Sequence, residues 1–200
     1  MYMDETRLIE RTKSGDADAF EQLVRKYEKP VYNLVYRTLG NPEDSCDVTQ
    51  EVFLRIFRSI DSYNGQSEFF TWIYRIAYNL CIDFIRKSRR YKTVSLDDPN
   101  ISETSYAALA DLRFDPERVF MDNEFLRSLE ECLDVLSAPH RAVLAMREIL
   151  GLSYREIGVI LGLPQGTVKS RICRARGHLC AALASRNNTG NSSSNQTEGR

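Results

Sequence analysis

Histidine is nearly missing from this 200-residue chain, which holds only His140 and His178. The five cysteines, Cys46, Cys81, Cys132, Cys173 and Cys180, are scattered, and no CxxC pair occurs. With so few soft or imidazole ligands at such spacing, a structural zinc site has no framework. The cysteines read as reduced thiols, four of the five on apolar or neutral helix positions where cysteine behaves as a small hydrophobe. Charges break every apolar stretch well before the roughly 20 residues that a bilayer-spanning helix requires. The start, Met1-Tyr2-Met3-Asp4-Glu5, lacks a basic region followed by an apolar run, so no signal peptide is expected. A phosphate-binding glycine loop, a metal cluster and a nucleophile–base constellation are also lacking. The expectation is a cytoplasmic protein with no membrane insertion, no cofactor or metal, and no enzymatic activity.

Net charge is lacking too: the formal value is -1 and the pI is about 6.2. Taken as an average, that argues against a nucleic-acid binder. The average hides segregation along the chain. Residues 86–92 carry Arg86, Lys87, Arg89, Arg90 and Lys92, and residues 165–178 carry Lys169, Arg171, Arg174 and Arg176. Between them, residues 93–134 hold eleven acids against three arginines. An acidic segment between two basic patches would repel DNA or occupy a basic surface, so that the chain alone binds DNA poorly; a merely solvated linker and helix face would show the same charges.

Period-two alternation is lacking as well, whereas apolar residues recur at helical spacing throughout. A short helix with Leu8 and Ile9 ends near Gly15, and Asp16 caps a second that carries Phe20, Leu23, Val24 and Tyr27. Pro30 is expected to open a third, with Val31, Leu34, Val35 and Leu39, closed by Gly40-Asn41-Pro42. A fourth spans about 43–59, a loop covers 63–67, and a long fifth helix spans about 68–90. The rhythm lapses over 93–117, which reads as a linker. Asp115-Pro116 resembles an N-cap with proline at the first helical position. Helices follow at about 117–135, 139–149, 154–161 and 165–183. Residues 185–200, almost all Asn, Ser, Thr, Gly and Gln, read as a disordered tail. The fold expected is all-α: two small helical domains, 1–92 and 118–184, joined by the linker 93–117.

The sharpest local signal lies in the second domain. Ser153 followed by Glu156 makes a capping box, and Gly162 suits a tight turn between two helices. In the next helix Val168, Ile172, Ala175 and Leu179 follow a 4-3-4 spacing and should pack inward. Thr167, Ser170, Cys173 and Arg174 then point outward, with Lys169 and Arg171 flanking. Such a helix-turn-helix presents hydroxyl and guanidinium groups to base edges and phosphates in a major groove. An ordinary amphipathic helix with a basic solvated face would show the same charge but not the cap, turn glycine and inward pattern together.

The long fifth helix divides similarly. Phe69, Trp72, Ile73, Ile76, Ala77, Leu80, Cys81 and Phe84 form one stripe and should be core. The other side offers Arg75, Tyr78, Asn79, Ile82 and Arg86, and the helix ends in Arg86-Lys87-Ser88-Arg89-Arg90. Aromatic faces beside cations suit unstacked single-stranded DNA.

Two longer motifs bring a family into view. The run Gly65-Gln66-Ser67-Glu68-Phe69-Phe70-Thr71-Trp72-Ile73-Tyr74-Arg75-Ile76-Ala77-Tyr78-Asn79 resembles the loop-and-helix signature of extracytoplasmic-function (ECF) sigma factors of bacterial RNA polymerase. The run Asp47-Val48-Thr49-Gln50-Glu51-Val52-Phe53-Leu54-Arg55-Ile56-Phe57-Arg58 is similar to their polymerase-binding helix. The resemblance covers nearly all of residues 4–183 in order. It implies core RNA polymerase and promoter DNA as partners, and an anti-sigma factor as an inhibitor.

The resemblance also implies roles for particular residues. On the 47–58 helix, Val48, Phe53, Ile56 and Phe57 can face the core. Asp47, Gln50, Glu51, Leu54 and Arg58 form a separate outward face, and a leucine within an acid-and-amide patch suits a protein interface. For the -10 promoter element the implied residues are Asn64, Ser67, Phe69, Arg75, Tyr78, Asn79, Arg86, Lys87 and Arg90. For the -35 element they are Gln165, Thr167, Lys169, Ser170, Arg171 and Arg174. Family members often carry a basic residue before the loop glycine, where this chain has Asn64. A helix-turn-helix regulator acting without polymerase would leave the 47–58 face unused. A helical adaptor binding only protein would leave the recognition helix unused.

Overall fold

The computed structural model describes the backbone of residues 5–94 and 131–192, and the side chains of 5–88 and 131–185. Every regular element among these residues is helical. Residues 95–117 of the expected linker, the Asp115-Pro116 cap, most of the 117–135 helix and most of the acidic segment lie outside the described residues, while 93 and 94 continue a helix.

Helix α1 spans Glu5–Lys13 and α2 spans Ala17–Leu39. Asp16 is the expected cap between them: its Oδ1 accepts from the Ala19 amide at 3.1 Å, and its Oδ2 takes the Arg11 guanidinium. The amide bond, then Arg11, holds the Asp16 carboxyl below its usual pKa. Glu5 ties α1 onto α2 by accepting from the Tyr27 hydroxyl and the Lys26 ammonium.

Pro30 does not open a new helix, as the sequence suggested; α2 runs through it. An interior proline removes a backbone bond and costs about 3 kcal/mol in an isolated helix. Here Leu23, Tyr27, Val31, Leu34 and Val35 make one buried stripe on both sides of Pro30, and packing that stripe outweighs the lost bond. Gly40, at φ +80°, then closes α2 in the left-handed region, its amide donating to the Tyr36 carbonyl at 2.8 Å.

Helix α3 (Pro42–Ser59) begins at an Asn41 cap, and a single 3-10 turn at Ile60–Ser62 leads to the loop before α4 (Phe69–Val94). Beyond the gap, a helical stretch at 131–134 precedes α5 (Ala138–Leu144), which winds into a π turn over Ala145–Ile149. Helix α6 (Tyr154–Leu161) and helix α7 (Gln165–Ser192) complete the described residues.

Helix α7 is longer than expected. Residues 185–192, read from composition as disordered, continue its last turns; once a helix is nucleated, each added residue gains a backbone bond at little cost.

The two units are not separate in space. One cluster of buried residues takes in Val31, Leu34, Ile73 and Cys81 from the first, and Leu136, Met146 and Ile157 from the second. Helices α2 and α5, and α4 and α6, pack against each other across the boundary. Arg141 spans the same seam: its Nη2 donates to the Thr38 carbonyl at 3.0 Å and lies 3.4 Å from that of Leu39. These carbonyls sit at the end of α2, where the helix supplies no internal donors.

Candidate nucleic-acid and protein interfaces

Helix α3 separates its faces by residue period. Val48, Thr49, Val52 and Ile56 are buried, while Asp47, Gln50, Leu54 and Arg58 are exposed and Glu51 lies at the border. Two positions expected to face the core do not. Phe57 is 51% exposed and Phe53 only half-buried. At i+1 from Ile56, Phe57 is turned about 100° off the buried line and rests its ring against Phe20 of α2, centroids 5.0 Å apart. Phe53 and Phe57 instead help line a groove of about 790 Å³ between α2 and α3. Phe20 and Tyr32 contribute from α2, and Gln50 and Leu54 from the outward face of α3. Two of the polymerase-facing residues anticipated from the sequence thus border an open, largely apolar groove. Its aromatic walls are the part sequence reasoning missed.

The loop at 64–68 is exposed at its tip and pinned at its ends. Asn64, Gly65 and Gln66 are solvent-facing, Gly65 takes φ +75°, and the Asn64 side chain accepts from the Gln66 amide at 3.2 Å. Ser67 is half-buried, its carbonyl accepting from the Tyr63 hydroxyl at 2.7 Å. Phe69 departs from its anticipated role. It is 1% exposed, edge-on to Tyr27 and Tyr63 and stacked on Trp72, so neither face is open to a base. As the first residue of α4 on the buried stripe, it anchors the helix start.

Along α4, Arg75, Asn79, Arg86 and Lys87 are exposed and Tyr78 is half-buried; the Arg90 side chain lies outside the described residues. Arg86 makes only a weak surface pair with Asp83 at 3.6 Å. Cys81 is fully buried on the opposite face, and burial pushes its thiol up to about 12.

The helix-turn-helix is formed by α6 and α7. The Ser153 hydroxyl accepts from the Glu156 amide at 3.2 Å while Glu156 accepts from the Ser153 amide at 2.6 Å, completing the capping box. Hydrogen bonding to the Glu156 carboxyl from the Ser153 hydroxyl, then from the Ser153 amide, holds it below its usual range. Gly162 closes α6 at φ +64°, as the turn required. Gly158 is equally needed, which the sequence did not reveal: a Cβ there would lie 2.8 Å from the Leu163 carbonyl oxygen.

Val168, Ile172 and Ala175 are buried, leaving Gln165, Thr167, Lys169, Ser170, Cys173 and Arg174 exposed. Arg171 is half-buried, and its guanidinium lies near enough to Tyr78 on α4 to act on that hydroxyl. Burial raises the Tyr78 hydroxyl pKa, and the Arg171 guanidinium opposes that rise as a neighbouring charge and hydrogen-bond donor. A residue of each anticipated DNA-reading set therefore meets the other.

Comparison with known proteins decides the family. Residues 23–91 match the model of sigma-70 region 2 and residues 126–179 that of sigma-70 region 4. The chain is 37% identical to the ECF RNA polymerase sigma factor SigW of Bacillus subtilis, covering 88% of this chain and 95% of that one. The chain is an ECF sigma factor.

This sigma factor is also 37% identical to the ECF sigma-E factor of Escherichia coli, over 84% of its own length and 88% of the relative's. A solved structure of CnrH in complex with the cytosolic domain of CnrY matches it with TM-score 0.64 at 26% identity, covering 91% of this chain and 99% of that one. As a sigma factor it binds core RNA polymerase and promoter DNA and directs promoter-specific transcription initiation; it is not an enzyme. Among the described residues no helix is long and apolar enough to cross a membrane.

Proposed function

We propose that this sigma factor docks on core polymerase through α3, with Asp47, Gln50, Glu51, Leu54 and Arg58 at the interface. The observation that carries this reading is the groove between α2 and α3, where exposed Leu54 and Phe57 stand beside the amide of Gln50. Large apolar side chains left open within a polar patch favour a partner surface over water.

The loop tip at Asn64, with Ser67 and the outward residues Arg75, Tyr78, Asn79, Arg86 and Lys87 of α4, reads and opens the -10 element. Gln165, Thr167, Lys169, Ser170, Arg171 and Arg174 read the -35 element. The corresponding units are residues 1–92 and 118–184. The protein works in the cytoplasm, and an anti-sigma factor holds it inactive; its relative CnrH, solved in complex with the cytosolic domain of CnrY, supports a protein partner of this kind.

The test is Gln50→Ala combined with Leu54→Ser. Both side chains point away from the core, so the helical circular dichroism should match that of the parent. Co-purification of core polymerase should fall at least tenfold; full retention would overturn the assignment.

A further inference from the structure

The geometry points to Tyr63 as a positioning residue that holds the 64–68 loop in the shape needed for promoter recognition. This inference rests on the reading of that loop as part of the -10 interface.

Tyr63 stands where the 3-10 turn ends, its amide donating to the Ile60 carbonyl at 3.0 Å. Its ring is seated edge-on to Phe69 at 5.0 Å and tilted on Trp72 at 5.5 Å, both of which are buried. The Lys13 ammonium of α1 lies 5.9 Å from the ring centroid. From that seat the hydroxyl spans the loop and donates to the Ser67 carbonyl. The backbone is thus pinned at both feet of the loop: at Tyr63 by the core, and at Ser67 by Tyr63. Between those feet Asn64, Gly65 and Gln66 face solvent, and the Asn64 side chain bonds the backbone within that tip.

A loop that captures a base must hold its polar groups near the productive geometry before binding, because ordering it afterwards weakens the complex. The phenol is well suited to this service. Burial, followed by the nearby Glu68 and Glu5 charges, raises its pKa, so it stays protonated and remains a donor. Phenylalanine would fill the same seat, keep both ring contacts and lose only the bond to Ser67. The substitution therefore separates loop positioning from core packing.

The experiment uses Tyr63→Phe in full-length protein assembled with core polymerase. Binding is measured to a single-stranded DNA pool randomised over six positions, and to the sequence that the parent selects from it. The thermal midpoint and the affinity for core polymerase should match the parent. Affinity for the selected strand should fall about tenfold, the scale of one lost partly buried bond, and the base preference at one or more positions should flatten. Unchanged affinity and an unchanged selected sequence would overturn the role of Tyr63.

Asn64→Ala and Gln66→Ala, tested in parallel, separate the two levels. If they weaken selection while Tyr63→Phe does not, the positioning role falls and the loop reading stands. If none of the three changes selection, the loop reading itself falls and the inference with it.

Discussion

Replacing Arg141 with methionine tests how firmly the two units are joined. The side chain is 14% exposed, and it brings a cation from the second unit to the carbonyl end of α2 in the first. The bond to the Thr38 carbonyl is charge-assisted and is worth about 1.5–3 kcal/mol. The Leu39 contact, at 3.4 Å, adds little. The ion pair with Asp134, whose carboxylate is 66% exposed, adds no more than about 0.5 kcal/mol. Against these stands the cost of burying the guanidinium, which lowers its pKa and leaves Nε without a partner. An unmade buried bond costs about 1–3 kcal/mol and disappears with methionine, which keeps most of the apolar stem. At central values these sum to about 2.5 kcal/mol against about 2 kcal/mol, a net loss of about 0.5 kcal/mol on substitution. At a urea m-value of about 2 kcal/mol/M, the midpoint moves down by about 0.25 M.

Trp72, the sole tryptophan, lies in α4, so its fluorescence follows the first unit while circular dichroism follows both. In the parent the two transitions should coincide; in Arg141→Met they should separate, because a tie between the units is gone. A midpoint that stays or rises, with coincident transitions, would refute the accounting.

Two further outcomes follow from local geometry. Gly158→Ala should destabilise by about 1–3 kcal/mol, since the new methyl meets the Leu163 carbonyl, and a thermal melt reads the effect. A gain in stability, the usual result of this exchange in a helix interior, would show that the turn yields. His140 gives a pH test: burial, then His178, Arg171 and Arg174, hold its ring below the ordinary 6.5. The folded chain thus takes up this proton less readily than the unfolded chain. Its contribution is complete above about 6.5 and shrinks as pH falls through that value. Between pH 7.5 and 5.5, His140→Gln should lose less urea resistance than the parent, and equal losses would rule the effect out.

How much was legible beforehand depends on whether a signal was local. The Asp16 cap, the Ser153–Glu156 box, Gly162 and the inward series Val168, Ile172 and Ala175 are set by neighbours within one turn, and all were readable. Pro30 was misread because its local rule is real but a continuous buried stripe overrides it. Phe57 was misjudged, since exposure depends on which helix lies opposite, and no spacing rule carries that; for Phe69 the spacing placed the ring in the core, where it lies, and the DNA role implied by the resemblance does not fit that burial. The tie from Arg141 to the end of α2 joins positions about a hundred residues apart and leaves no trace in periodicity.

The contact between Arg171 and Tyr78 has a consequence for engineering. Sigma factors invite treatment as interchangeable modules, with one unit transplanted to retarget a promoter. Here the graft would carry half of a contact whose other half stays behind. A substitution at Arg171 chosen to change promoter preference also alters the seat of Tyr78, so a faithful transplant moves both residues together.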